Sequence, residues 1–337
     1  MPASLHELAL RLWRLQPWLG RTKRDFLSLH DLTTWELEGL LDLAADFKAY
    51  PAAFRHVLEG KSLALIFQKP SLRTRVTFEV AMTRLGGHAI YLAPGDVGLG
   101  RREAVKDVGR NLSRWVDGIV VRTFAHGILE EMAAESYVPV INALSDLLHP
   151  CQAVADVLTL RDHKGQLKGL RLAFVGDGNN VAHALLQAAA KTGMHFVLAC
   201  PPGFEPSSAL VTQAQVDAED TGASLTITRD PFEAVVGADA VYTDVWASMG
   251  QESEAEQRKR IFLPYQVNER LMAQAKPDAL FLHCLPAHRG EEVTDAVLDG
   301  SHSVALAQAE NRLHTAAAVL LALLAEPRLN PDPEVRP

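Results

Sequence analysis

Short apolar runs of strand length alternate with amphipathic helical runs along nearly the whole chain, and this alternation limits the fold more than any other feature. Ser62-Leu-Ala-Leu-Ile-Phe67 reads as a strand. After it, Phe78, Ala81, Met82 and Leu85 fall at i, i+3, i+4 and i+7, the stripe of a helix with one buried face. Further strands are expected at residues 89–92, 118–121 and 138–142, then at 170–175, 196–200, Leu225–Thr228, Ala240–Thr243 and Leu280–His283. Between the strands at 170–175 and 196–200, Val181, Ala184, Leu185, Ala188 and Ala189 share one helical face. Strand and helix in alternation predict βαβ units and parallel sheets, an α/β fold.

The chain has 337 residues, more than one hydrophobic core usually supports, and each half has enough strands for its own sheet. We therefore expect two domains, each a mostly parallel sheet flanked by helices, with the active site between them. The seam falls in the helix after His149-Pro150 and in the loop Asp162-His-Lys-Gly-Gln-Leu-Lys-Gly169. This gives an N-terminal extension over 1–22, domains over 23–163 and 164–325, and a Pro-rich tail over 326–337. The last helix, with Leu313, Ala317, Leu320, Leu321 and Leu324, either packs on its own half or crosses back to the first.

A formal net charge of −8 argues against a nucleic-acid partner, which needs a basic face, but leaves room for a local arginine cluster around a small anion. No segment approaches the ~18 apolar residues of a membrane span, and the charge-broken N-terminus does not read as a signal peptide. Three scattered cysteines, Cys151, Cys200 and Cys284, form no disulfide framework and suit a reducing cytoplasm. His283 and Cys284 are neighbours on an expected strand, where adjacent side chains point to opposite faces, so no metal site is expected.

Pro70-Ser71-Leu72-Arg73-Thr74-Arg75 follows the first strand and opens a helix. Ser71 is a good N-cap, and a helix start offers free N–H groups and a positive dipole end. Capping does not call for two arginines in the first turn, where they oppose that dipole. An anion site built from Ser71, Thr74 and the planar fork of Arg73 accounts for them. Arg122 ends a buried-looking strand, so it needs an anion or a structural ion pair. His149 and Gln152, in His149-Pro150-Cys151-Gln152, are hydrogen-bonding groups at a helix start, although a lone histidine is more often structural.

Gly176-Asp177-Gly178-Asn179-Asn180 suggests a dinucleotide fingerprint, but Val181 occupies the third glycine position, so no nicotinamide cofactor is expected. The asparagines suit an amino-acid head group instead. Asp244 ends a strand and leads into Ser248-Met249-Gly250 and the very polar 251–260 stretch, which reads as a mobile lid. Arg312 is read as starting a helix. Cys284 stands at the carboxyl end of a strand just before Pro286, where open α/β folds keep their chemistry. By itself it reads as a packed thiol.

Taken in this order, the motifs resemble the aspartate/ornithine carbamoyltransferase family over about residues 25–324. Ser71-x-Arg73-Thr74 and His149-Pro150-x-Gln152 look like motifs of the whole family. Asp244-x-x-x-Ser248-Met249-Gly250 and His283-Cys284-Leu285-Pro286 are similar to its ornithine branch. The resemblance implies that Ser71, Leu72, Arg73, Thr74, Arg122, His149, Gln152, Cys284, Leu285 and Arg312 hold carbamoyl phosphate. It implies that Asn180, Asp244, Ser248 and Met249 hold L-ornithine, with Cys284, Arg122, His149 and Arg73 acting in catalysis. The expected product is citrulline, made without metal or cofactor by a cytoplasmic homotrimer, or a multiple of trimers, in arginine biosynthesis.

Leu72 departs from the threonine common in relatives. Gly98 replaces a glutamine that reaches a neighbouring subunit's site in them. Chemically, the attacking ammonium must lose a proton, and Cys284 is the expected acceptor if a nearby cation lowers its pKa. Alternatives are transfer to N-acetylornithine, putrescine or aspartate, or a non-catalytic phosphate-binding role on the same fold.

Overall fold

The computed structural model describes residues 23–247 and 252–325. The expected nine strands form two all-parallel sheets. The first has the order β2-β1-β3-β4, with β1 at Ser62–Phe67, β2 at His88–Leu92, β3 at Gly118–Arg122 and β4 at Val140–Leu144. The second has the order β7-β6-β5-β8-β9, with β5 at Arg171–Val175, β6 at His195–Ala199, β7 at Leu225–Thr228, β8 at Ala240–Thr243 and β9 at Leu280–His283. β4 starts two residues later than its sequence pattern suggests. Pro139 has no N–H to give a ladder, and the pairing begins at Val140, whose N–H donates to Asp25 Oδ1. Phe26 bridges Ile141 at that edge.

Alternation along the strands sorts the core. In β1, Leu63, Leu65 and Phe67 face one apolar cluster while Ala64 and Ile66 face another. In β5, Leu172 and Phe174 join the same cluster as Leu63, and Ala173 and Val175 turn the other way. Both faces of the central strands are thus buried, as parallel sheets require. The shared cluster runs between the two sheets through the helices Thr34–Ala49, Pro150–Lys164, Asn180–Thr192 and Ala305–Leu324. The Ala305–Leu324 helix crosses back, packing on Thr34–Ala49, Leu72–Arg84 and Pro150–Lys164. Its end sits so close under β3 that a Cβ added to Gly118 would stand 3.0 Å from Leu324 Cδ2.

In each sheet the chain order reverses once, between β1 and β3 and between β5 and β8. Loops leaving the carboxyl ends of such strand pairs diverge and open a crevice, the usual ligand position in open α/β sheets. Here both crevices open onto one cleft. Among the described residues, no helix is long and apolar enough to cross a membrane.

Candidate active site

The cleft has a volume of about 960 Å³, and residues from both sheets line it. From the first half come Ser71, Leu72, Arg73, Thr74, Arg122, His149 and Gln152. From the second come Asn180, Asp244, Cys284 and Leu285, with Arg312 reaching in from the last helix. Ser248 and Met249 lie outside the described residues.

On the first wall, Ser71 caps the Leu72–Arg84 helix, its Oγ accepting from the Thr74 N–H at 3.3 Å. The two arginines of this turn separate. Arg75 turns away to Glu79 and lies 3.7 Å over the Tyr91 ring. Arg73 lines the cleft. The Leu72 side chain is 74% exposed, so only its backbone serves the turn. Arg122 is the last residue of β3 and is buried. Arg312 sits within the third turn of its helix rather than at the helix start, and it too is buried. It donates Nη2–H to Thr74 Oγ1 at 3.2 Å and Nη1–H to Gln152 Oε1.

Among the described residues, no carboxylate comes within ion-pair distance of Arg73, Arg122 or Arg312. Burial, and then the other two guanidiniums, push Arg122 down to about 10. His149 is held well below the ordinary histidine range by burial and by the same three arginines, so its imidazole is neutral. Three uncompensated cations around a neutral imidazole form a strong anion receptor.

On the opposite wall Asp244 accepts three bonds. Cys284 Sγ donates to Oδ1 at 3.0 Å, the Val245 N–H to Oδ1 at 2.8 Å, and Asn179 Nδ2 to Oδ2 at 2.9 Å. The sequence reading chose Asn180 for the amino-acid end, but Asn179 is the residue that touches Asp244. Asn179 also caps the Asn180–Thr192 helix, its Oδ1 accepting from the N–H groups of Val181 and Ala182. Asn180 donates instead to Ser145 O at 2.7 Å, tying the two halves together across the cleft.

The expected cation-lowered thiol is not what this arrangement produces. Burial first, then the Asp244 carboxylate, hold Cys284 well above the ordinary thiol range. It is a neutral thiol donating to a carboxylate. The argument against a metal pair also changes. β9 ends at His283 and Leu285 adopts φ +56, so strand alternation stops there. Ligand atoms of Asp244, His283 and Cys284 lie within 4.8 Å of one another. Both His283 nitrogens are engaged, however. Nδ1 accepts from the Leu285 N–H at 2.9 Å, and Nε2 donates to the fully buried Glu292 at 3.1 Å.

Three further differences concern loops. Gly178 is needed not for a dinucleotide but for the close approach of protein backbone: a Cβ there would stand 2.4 Å from Pro206 N. The described part of the 251–260 stretch is not free. Arg258, buried, donates to Asp177 Oδ2 at 2.8 Å and to Trp246 O at 3.0 Å, and its helix Ala255–Phe262 is pinned there. Gly98 follows the short helix Pro94–Val97 at φ +61, a conformation that disfavours any side chain.

Sequence reasoning passed over Asp156, Tyr242 and Gln308. Their signal was spacing: Asp156 is four residues after Gln152, Gln308 is four before Arg312, and Tyr242 is two before Asp244 on the same strand.

Two family models match the chain. The carbamoyl-P binding domain of aspartate/ornithine carbamoyltransferase matches residues 24–162, and the Asp/Orn binding domain matches 168–323. The chain is 54% identical over 303 residues to the ornithine carbamoyltransferase of Anoxybacillus flavithermus, covering 89% of this chain and 96% of the relative. It is 53% identical to an anabolic ornithine carbamoyltransferase of Pyrococcus furiosus, over 88% of this chain and 95% of the relative. The solved ornithine carbamoyltransferase structure from Pyrococcus furiosus superposes with a TM-score of 0.87 at 52% identity, covering 89% and 97% of the two chains.

Proposed function

The chain belongs to the aspartate/ornithine carbamoyltransferase family, and from that premise we propose that it transfers the carbamoyl group of carbamoyl phosphate to the side-chain amine of L-ornithine. The products are L-citrulline and phosphate. One observation carries the reading: the cleft is cationic on the wall of Arg73, Arg122 and Arg312 and anionic at Asp244 beside Cys284. A dianionic phosphate fits the first wall and an ammonium the second.

In the transfer, a carbon–nitrogen bond forms as the bond from the carbamoyl carbon to the phosphate oxygen breaks. The incoming ammonium gives up two protons: one leaves with phosphate and the other passes to solvent. Ser71, Arg73 and Thr74, with the backbone of Leu72, hold the phosphate. Arg122, His149, Gln152 and Arg312 orient the carbamoyl group and stabilise the charge that grows on its oxygen. Preorganised donors of this kind are worth about 3–4 kcal/mol each in a water-poor site. The neutral His149 contributes a polar group without a fourth charge.

Asp244 receives the α-ammonium of ornithine, joined by Ser248, Met249 and the side-chain oxygen of Asn180. Cys284 and Leu285 meet the carbamoyl end and the reacting amine. An ammonium seated on Asp244 offsets the carboxylate charge that, after burial, lifts the thiol. Cys284 then gives its own proton to solvent and the thiolate takes one from the amine, so that one of the ammonium's two protons leaves through Cys284 and the other with phosphate. An ammonium with a pKa near 10.4 is otherwise almost fully protonated at neutral pH.

This reading extends to arginine biosynthesis, which the anabolic Pyrococcus furiosus relative supports, and to a cytoplasmic homotrimer or multiple of trimers, which rests on the resemblance. The test is citrulline formation from carbamoyl phosphate and ornithine, with N-acetylornithine, putrescine and aspartate as competing amines. Ornithine is expected to be carbamoylated in preference to the other three. Absence of citrulline at high enzyme concentration overturns the reading.

A further inference from the structure

Behind the two walls of the cleft lies a buried polar chain whose inner members, Asp156, Tyr242 and Gln308, the transfer mechanism does not use. Asp156 has no exposed surface. It sits on the Pro150–Lys164 helix, one turn after Gln152. Its Oδ1 accepts from Gln152 Nε2 at 2.7 Å and from Gln308 Nε2 at 2.6 Å, and its Oδ2 accepts from the Tyr242 hydroxyl at 3.2 Å. Gln308 Nε2 also reaches the Tyr242 oxygen at 3.0 Å. Each amide has a second duty. The Oε1 of Gln152 accepts from Arg312 in the phosphate wall. The Oε1 of Gln308 accepts the backbone N–H of His283 at 3.0 Å, the residue before Cys284.

We propose that Asp156 is a positioning residue for the transfer: by fixing which way both glutamine amides face, it holds Arg312 on the phosphate side and the His283–Cys284 backbone on the amine side in one register.

The argument is one of satisfiability. An amide side chain can present either its oxygen or its NH2 group to a given neighbour. Arg312 and the His283 N–H are donors only, so both glutamines must turn their oxygens toward them. Their NH2 groups then converge on one point, where only an acceptor is tolerated. A carboxylate with several lone pairs meets that need, and Tyr242 completes its shell. An asparagine can keep its oxygen toward both amides and turn its NH2 group to the Tyr242 oxygen, so it preserves the convergence. A leucine removes the acceptor, and at least one glutamine must then turn, presenting a donor to Arg312 or to the His283 N–H. Burial raises the pKa of Asp156, the donors from Gln152 and Gln308 and the charge of Arg312 oppose that rise, and the net is about 7.

This role rests on the carbamoyl-transfer reading above, and the experiment separates the two. Citrulline formation by the wild-type chain, Asp156→Leu, Gln308→Met and the double variant is measured over both substrates, with the thermal midpoint of each. Asp156→Leu is expected to lower kcat by about 10- to 100-fold, the usual effect of a small misplacement of reacting groups, and to raise the KM of both substrates. Gln308→Met, which removes the bonds to Asp156, Tyr242 and the His283 N–H but leaves Gln152 on Asp156, is expected to raise the ornithine KM more than the carbamoyl phosphate KM. The double variant should be little worse than Asp156→Leu alone, because one network is broken twice.

A purely structural role would lower the active fraction and leave both KM values where they were, and that result overturns the proposal. So do wild-type kinetics in either single variant. Should Asp156→Leu fail to fold, the KM split in Gln308→Met decides. A wild-type chain that forms no citrulline sinks the transfer reading, and this role with it.

Discussion

The Cys284 thiol donates to the Asp244 carboxylate across 3.0 Å, and in the substrate-free cleft this bond adds to burial in keeping the thiol protonated. A carboxylate at that distance disfavours a thiolate. Asp244→Asn removes its charge, lowers the thiol's pKa, and so raises the thiolate fraction at any pH below it. Iodoacetamide should therefore label Cys284 slowly in the unliganded chain at pH 7.5, and about tenfold faster for each pH unit by which the substitution lowers the pKa. A Cys284→Ser chain supplies the blank, since Cys151 and Cys200 are buried. Equal labelling rates with and without the Asp244 charge would remove the coupling. In turnover, Cys284→Ser should lower kcat and alter its pH profile while carbamoyl phosphate still binds.

Arg73 lines the cleft, and among the described residues no carboxylate pairs with it, so its charge is available to a ligand. Arg73→Ala should weaken carbamoyl phosphate binding about 100-fold or more, on the scale of removing one preorganised donor. Titration calorimetry with carbamoyl phosphate measures it; near-wild-type affinity would take Arg73 out of the anion site.

The adjacent asparagines should separate cleanly. Asn179→Ala loses a helix cap, costing about 1 kcal/mol of stability, and also strips a donor from Asp244, so the ornithine KM should rise with it. Asn180→Ala keeps the cap and loses the bridge to Ser145 O. Its thermal midpoint should fall less than that of Asn179→Ala. Denaturant unfolding alongside steady-state kinetics distinguishes them, and reversed stabilities would contradict the assignment of the cap.

His183 joins the halves by donating Nδ1–H to Leu147 O and accepting the Ser207 N–H at Nε2, both at 2.9 Å. Protonation would put a donor where an acceptor is needed, and burial holds its pKa below the ordinary value of 6.5. The unfolded chain therefore binds this proton more readily. The sign follows from linkage: its contribution is flat above about pH 6.5 and falls as pH drops below that value. Thermal midpoints between pH 7.5 and 5 should decline less steeply in His183→Gln; an identical slope would show that His183 does not contribute.

Gly178→Ala should destabilise by about 1–3 kcal/mol, the usual cost of overpacking. The added Cβ would lie 2.4 Å from Pro206 N and 2.7 Å from Glu205 C, both backbone atoms that cannot swing aside. A thermal midpoint equal to wild type would show that the loop yields.

The alternation of strand and helix made the two parallel sheets legible, because period-2 and 3.6-residue patterns survive in any single sequence. Ser71, Arg73, Arg122 and Asp244 were legible for a related reason: polar residues at strand ends and helix starts stand out against apolar runs. What stayed hidden depended on space. Asp156 and Gln308 are 152 residues apart, and each reads as an ordinary polar helical residue until the other is beside it. The choice between Asn179 and Asn180 turns on which one caps the helix, a matter of one residue of register. The protonation of Cys284 stayed open in the sequence because the arginines were visible in the motifs while the contact with Asp244 was not.

The return of the last helix to the first sheet also has a consequence in time. Thr74 and its partner Arg312 are 238 residues apart. At the ordinary pace of synthesis the ribosome needs roughly 10–50 s to travel that distance. Throughout that interval the nascent chain carries a phosphate cradle lacking one of its arginines, and the surface awaiting the Ala305–Leu324 helix stands open to other proteins.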